Sequence, residues 1–246
     1  MKKSGSASAS SAKALHSGHR SRVRERFARN GFAGMVDYEV LEALLIQILP
    51  RRDVKPLAKA LLEKFKTVSE TLNQPLEILS NFPGLARNSA IGLKMFGEIG
   101  SYCLHEKCCR QGNLLDSSEL IINYARMKLG LRKHECYMAL FLDSHHRLIE
   151  QQLIAEGTVS YIFAYVRNIV ESAMLIGASG VIIVHNHPSG KCHPTTQDIE
   201  ATIEIYNSFK SIDVTLLDHL IVSHDECFSF VAHGIDFSTL EKELKK

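Results

Sequence analysis

Gly180-Val-Ile-Ile-Val-His-Asn-His-Pro-Ser-Gly-Lys-Cys-His-Pro-Thr-Thr-Gln-Asp198 is the stretch that decides the fold. Its opening run, 180–184, is rich in β-branched residues and too short for a helix, which predicts a central strand buried on both faces. The loop after it carries Pro188, Gly190 and Pro194. Thr195 or Thr196 then begins a helix expected to run to about Ser211. Strand, loop and helix in that order point to an α/β domain.

The same stretch carries the chemistry. His185 and His187 are one residue apart where the strand ends, so both imidazoles can face the same side. Asp198 lies eleven positions after His187, in the first helical turn, where the loop can fold it back. Two imidazoles and a carboxylate supply three protein ligands and leave a fourth tetrahedral position for water, the pattern of catalytic rather than structural zinc. Zinc there would bring the pKa of that water towards neutrality and polarise a carbonyl. Nitrogen and oxygen donors without thiolate also suit iron, manganese or nickel. Asp198 has a second role open to it, as a first-turn acid that favours the helix dipole, with Thr195 as N-cap; the two roles are compatible. Cys192 and His193 read as loop residues.

Outward from this stretch the α/β pattern continues. Residues 137–142 and 147–154 read as strands flanking a turn at 143–146, a hairpin. A helix is expected over 166–177 and a last long strand over 214–222. The first half has a different character. From 14 to 104 apolar residues recur at helical spacing, with a helix over 38–49 capped by Asp37 and stopped by Pro50. Another helix spans 54–65, where Pro56 lies in the first turn and Asp53 can cap. Pro83-Gly84 marks a turn before helical periodicity resumes at 86. Periodicity is lost over 106–118, which gathers Gly, Asn, Asp and Ser and reads as a linker. The resulting organisation is a disordered tail over 1–13, a helical domain over 14–105, the linker, a metal-binding domain over 119–237 and a C-terminal tail over 238–246.

The 246 residues are 45% apolar, enough for one large or two small cores. Lys and Arg number 29 against 27 Asp and Glu, so the net charge of +2 gives no strong argument for a polyanionic partner. The polar, Ser-rich opening lacks the apolar core of a signal peptide, and no apolar run approaches a membrane span. Six cysteines without CxxC spacing suit reduced thiols. A soluble cytoplasmic protein is expected.

The stretch 185–198 resembles the HxHPxG…P[ST]xxD signature of the JAMM/MPN metallopeptidase-like superfamily, in the form seen in the bacterial RadC family. Gly157-Thr158, Leu217-Asp-His-Leu220, Phe228-Ser-Phe230 and the segment 50–57 extend the resemblance over most of the chain. It implies an all-α, helix-hairpin-helix-like region followed by an α/β MPN-type domain with a mixed sheet. It assigns the metal to His185, His187 and Asp198, and gives them Thr195 as companion where serine is usual. It implies a zinc-dependent peptidase or other hydrolase acting on an unspecified peptide or protein, and an association with DNA repair.

One position departs from that pattern. The superfamily uses a glutamate on an earlier strand as general base, five residues before the Gly-Thr pair in RadC-like sequences, and here that position is Gln152. An amide cannot take a proton from water. If the strand is regular, Glu150 and Glu156 share a face with Gln152, each about 6–7 Å along it. The expectation is bound metal with weak or absent hydrolysis.

A basic run over 19–26, with Arg20, Arg22 and Arg24, and a second group at Arg51, Arg52 and Lys55 are candidates for phosphate contact, a solvated helix face being the alternative. Around Gly84 the sequence resembles a helix-hairpin-helix turn, where glycine lets backbone amides approach phosphate, but the second glycine is replaced by Ala86. Three functions follow: a metal-binding member of the peptidase class, a non-catalytic DNA-associated accessory protein, or an MPN scaffold for partner proteins.

Overall fold

The computed structural model describes residues 7–157 and 162–244. The first six residues of the expected tail, and Thr158 of the Gly-Thr pair, lie outside them. The chain divides into two compact units, 1–99 and 100–246, each with its own apolar core.

The first unit is helical. It comprises α1 (Ala7–Asn30), α2 (Asp37–Ile48), α3 (Lys55–Phe65), α4 (Val68–Asn73), α5 (Leu76–Ser80) and the start of α6 (Arg87–Arg110). Leu41, Leu45 and Ile46 of α2 pack with Leu57, Ala58 and Leu61 of α3 and with Leu79, Phe82 and Leu93, the one-sided burial that helical periodicity predicts. α2 is capped one residue earlier than expected. Val36 is the N-cap, and its N–H donates to the carboxylate of Glu39 at 3.1 Å. Pro56 sits in the first turn of α3, and Asp53 accepts from the N–H of Lys55 at 3.1 Å. Residues 7–13, expected as tail, are continuous with α1.

The second unit is a mixed five-stranded sheet between two helical layers. Its strands are β1 (Cys136–Leu142), β2 (Leu148–Glu156), β3 (Gly180–Asn186), β4 (Thr215–Val222) and β5 (Cys227–Ser229), in the order β2-β1-β3-β4-β5. β1 and β2 form the expected hairpin, and β3 pairs antiparallel with β1 and parallel with β4. β3 is central and buried at every residue, as its unbroken apolar run predicts. One face is covered by the end of α6, a 3-10 turn at Leu114–Ser117 and α7 (Ser118–Leu129). The other is covered by α8 (Ile162–Ile176), α9 (Thr196–Lys210) and α10 (Phe237–Leu244).

The segment 106–118, whose composition reads as linker, thus carries the last turn of α6 and the 3-10 turn. Cys108 and Leu114 are fully buried in the core beneath the sheet. Likewise 238–244, expected as tail, continues α10, whose Phe237 and Leu240 are buried.

β2 is not regular. Its pairing with β1 slips between Tyr137 and Met138, so that Ala155 opposes Tyr137 and Leu153 opposes Met138 while Ile154 is the extra residue of a bulge. Gln152, opposite Ala139, therefore shares a face with Ala155. Glu156, opposite Cys136, points to the other.

Candidate metal centre

β3 delivers His185 and His187 at its end, and the Pro-rich loop returns the chain to α9. Pro188 cannot extend the strand ladder, and Gly190 takes φ +88°, a left-handed turn that suits glycine. Thr195 then starts α9 as a capping box. Its hydroxyl accepts from the N–H of Asp198 at 3.2 Å, while its own N–H and hydroxyl each donate to Asp198 Oδ2 at 2.7 Å. The cap fixes the carboxylate and turns it towards the histidines.

The three side chains converge. His185 Nε2 lies 3.0 Å from Asp198 Oδ1 and 3.1 Å from His187 Nε2, and His187 Nε2 lies 3.3 Å from Asp198 Oδ2. All three residues are buried. Among the described residues they are the one group of three or more His, Cys, Asp or Glu whose ligand atoms lie mutually within 4.8 Å. Cys192 is buried and faces Ser223, and His193 is exposed; neither joins the group.

The surroundings hold these rings from behind. His187 Nδ1 is 2.8 Å from the carbonyl of Lys191, which can only accept, so that nitrogen carries a proton and Nε2 is the one turned to the cluster. His185 Nδ1 is 2.8 Å from His219 Nε2, and His219 Nδ1 is 2.7 Å from the hydroxyl of Thr202. Tyr137, opposite His185 across the β1–β3 pairing, stacks on its ring at 4.6 Å and donates to Asp198 Oδ1 at 3.4 Å. Asn186, between the histidines, points the other way and ties the strand end down. It accepts from the N–H of Cys136 and donates to the carbonyls of Arg132 and His134.

Burial alone would raise the pKa of Asp198, but the facing imidazoles of His185 and His187, with the Thr195 hydroxyl, outweigh it and hold the carboxyl well below the usual range. Burial lowers His185, whereas the hydrogen bond to Asp198 raises His187. The two histidines differ because burial dominates at His185, whereas at His187 the contacts with Asp198 and the Lys191 carbonyl dominate. Burial also holds His219 far below its ordinary value. A buried carboxylate facing two imidazole nitrogens, each with its second nitrogen already engaged, is a donor set that fits a divalent cation. Tyr165 adds a detail of the same kind. Its ring packs against Tyr137 at 4.5 Å, and its buried hydroxyl has no hydrogen-bond partner among the described residues.

Gln152 stands apart from this cluster. It faces α8, where its Nε2 donates to Glu150 at 2.8 Å and its Oε1 accepts from Ser172 at 2.8 Å. The regular alternation expected for β2 does not hold. The bulge at Ile154 sends Glu156 to the opposite face, where it pairs with Arg132 at 3.1 Å. Glu150 stays on the Gln152 face, opposite Phe141, two pairs farther from the row of His185.

The nucleic-acid candidates lie in the helical unit. Arg20 directs its guanidinium at the carbonyls of Ile46, Leu49 and Arg52, where α2 ends. Gly84 has φ +93°, but its carbonyl accepts from Arg52 at 2.7 Å, and a Cβ there would meet that guanidinium at 2.7 Å. Arg22 and Arg24 are exposed on α1. His19, in the same run, bonds the buried Glu42 at 2.8 Å.

His219, Thr202, Tyr137 and Tyr165 are the contributors that sequence reasoning left without a role. His219 had a signal, a histidine inside the apolar run 216–222 on a buried strand.

Comparison with known proteins places these features. A family model described as a RadC-like JAB domain matches residues 115–235. The chain is 34% identical over 225 residues to a UPF0758 protein of Fusobacterium nucleatum, covering 89% of this chain and 97% of that one. It is 35% identical over 216 residues to a UPF0758 protein of Ruegeria pomeroyi, covering 88% and 96%.

Proposed function

The chain belongs to the RadC (UPF0758) family, and from that premise we propose that its JAB domain holds a divalent metal, zinc first, on His185, His187 and Asp198 and hydrolyses peptide or isopeptide bonds weakly or not at all. The observation that carries the metal is the convergence of two imidazole nitrogens and a carboxylate in a buried site whose other hydrogen bonds are already made. When bound, such an ion supplies Lewis acidity, which activates water and polarises a carbonyl.

The chain's own residues supply the positioning. Thr195 orients the carboxylate, and the carbonyl of Lys191 orients His187. What the family's glutamate position lacks is a proton acceptor. Gln152 occupies the position of the family's glutamate, and its amide is bonded on both sides. Glu156 is on the wrong face and Glu150 about 6–7 Å along the strand, a displacement far beyond the order of 1 Å to which catalysis is sensitive.

Elemental analysis of the purified chain tests the metal, with near-stoichiometric content expected; metal-free protein after growth in zinc-supplemented medium would sink it. Gln152→Glu against wild type, on a panel of peptide and isopeptide substrates with metal content matched, tests the catalytic half. Activity confined to the mutant marks a disabled hydrolase, and equal activity in both removes Gln152 from the argument.

A DNA-associated role for the helical unit is the second reading, and the exposed Arg22 and Arg24 support it. Salt-sensitive retardation of DNA by the full chain, reduced in the Arg22→Ala, Arg24→Ala double mutant, is its expected signature.

A further inference from the structure

We infer that His219 is a positioning residue: with Thr202 it holds a proton of His185 on Nδ1 and so presents Nε2 as the ring nitrogen that faces Asp198 and His187. The direction of each hydrogen bond follows from the one before it. Thr202 Oγ1 lies 2.6 Å from the carbonyl of Asp198, and a carbonyl only accepts, so the hydroxyl proton points there. Towards His219 Nδ1, at 2.7 Å, the same oxygen is left only as an acceptor, and Nδ1 must carry a proton.

His219 is fully buried, its ring stacked on Phe230 at 5.1 Å and 8°. Among the described residues no carboxylate hydrogen-bonds its ring, so a second proton would leave an unpaired charge in the core. Nε2 of His219 is therefore bare and accepts from His185 Nδ1 at 2.8 Å. That places a proton of His185 on Nδ1 and makes Nε2 the nitrogen offered to the cluster. Free imidazole prefers the opposite tautomer, which puts the proton on Nε2 and would block the ligand atom. The relay begins on the helix that supplies the carboxylate, one turn after Asp198, and passes through β4 to β3. One helix thus sets both an oxygen and a nitrogen of the cluster. Use of this nitrogen by a metal rests on the proposed function; the tautomer does not.

Long-range proton–nitrogen correlation spectra of the full chain, stripped of metal and labelled with 15N, read the tautomers directly. His185 and His219 are expected as Nδ1–H forms, assigned by loss of signals in His219→Gln. An Nε2–H form at His219 would overturn the relay. Cobalt(II) and zinc titrations with a competing chelator then compare His219→Phe with His219→Gln, whose amide can both accept from His185 and donate to Thr202. We expect His219→Phe to weaken binding by about 10- to 100-fold and His219→Gln to retain most of it. Equal losses in both, tracking equal losses of melting temperature, would reduce His219 to packing and overturn the proposal. If His219→Phe fails to fold, Thr202→Val, close to isosteric, carries the test, with a shift of His185 towards Nε2–H expected and an unchanged tautomer overturning it. Wild-type tautomers as expected with no metal bound would sustain the relay and sink the metal reading alone.

Discussion

Two groups of polar side chains, the imidazoles around His185 and the arginines around Arg20, are treated by the fold in opposite ways. His185 and His187 each have one ring nitrogen engaged by the protein and the other turned to a common point with Asp198. Arg20 has its guanidinium on three carbonyls at the end of α2, and Arg52 is bonded to Gly84. A helix leaves its last carbonyls without partners, and in the helical unit the nearby arginines satisfy them. Residue type is the same kind of signal in both places. What differs is whether the backbone has already used the group.

The largest effect expected to test this contrast is in the cluster itself. His185→Ala together with His187→Ala should reduce metal content from near one per chain to background, read by elemental analysis, with the circular dichroism of the fold retained. Retained metal in the double mutant would break the comparison from its stronger side.

Next comes stabilisation by the ion. An ion that binds only the folded state, at a concentration a hundredfold above its dissociation constant, stabilises by about 2.7 kcal/mol. In hydrogen exchange of the full chain, zinc should slow the amides of β3 and β4 and leave those of α2 and α3 unchanged; equal protection of both units would remove the contrast.

Arg20→Ala should lower stability by about 1.5–3 kcal/mol, since it removes charge-assisted bonds to carbonyls, whereas Arg22→Ala, on the exposed face, should stay within about 0.5 kcal/mol. Urea unfolding of the two variants measures the difference. Equal small effects would return Arg20 to the pool of side chains open to a ligand.

The smallest effect concerns the β1–β2 turn. Asp143 accepts from the N–H groups of Arg147 and His145, and these bonds hold its carboxyl below the usual range. A depressed folded pKa contributes stability above the unfolded value near 4 that is lost as pH falls through the folded one. Asp143→Asn should therefore flatten a modest loss of melting temperature confined to pH below about 4.

Much of the α/β unit is legible in the sequence because its signals are local. The run 180–184, the hairpin and the Thr195 cap depend on neighbours in the chain, and so does the spacing of His185, His187 and Asp198. α7 carries a local signal that the sequence reading leaves unused: Ile121, Tyr124, Ala125 and Leu129 recur at helical spacing and all are buried, but the turn-forming residues just before it mask its start. The partners of Arg20 and the relay through His219 were not legible, because they join positions 17 to 34 residues apart and exist only once helices and strands pack.

The bulge at Ile154 makes β2 a strand whose odd and even positions exchange meaning partway along. Between the register shift at Ile149 and this bulge, the even-numbered Glu150 and Gln152 face α8; after it, the odd-numbered Ala155 does, and Ala155 lies on the row that runs through Tyr137 to His185. A one-residue insertion or deletion there would reassign every side chain beyond it, so the strand's length is as much a part of its specification as its letters. A carboxylate meant for the row of His185 has position 155 as its address on β2, one that counting by twos from Gln152 passes over.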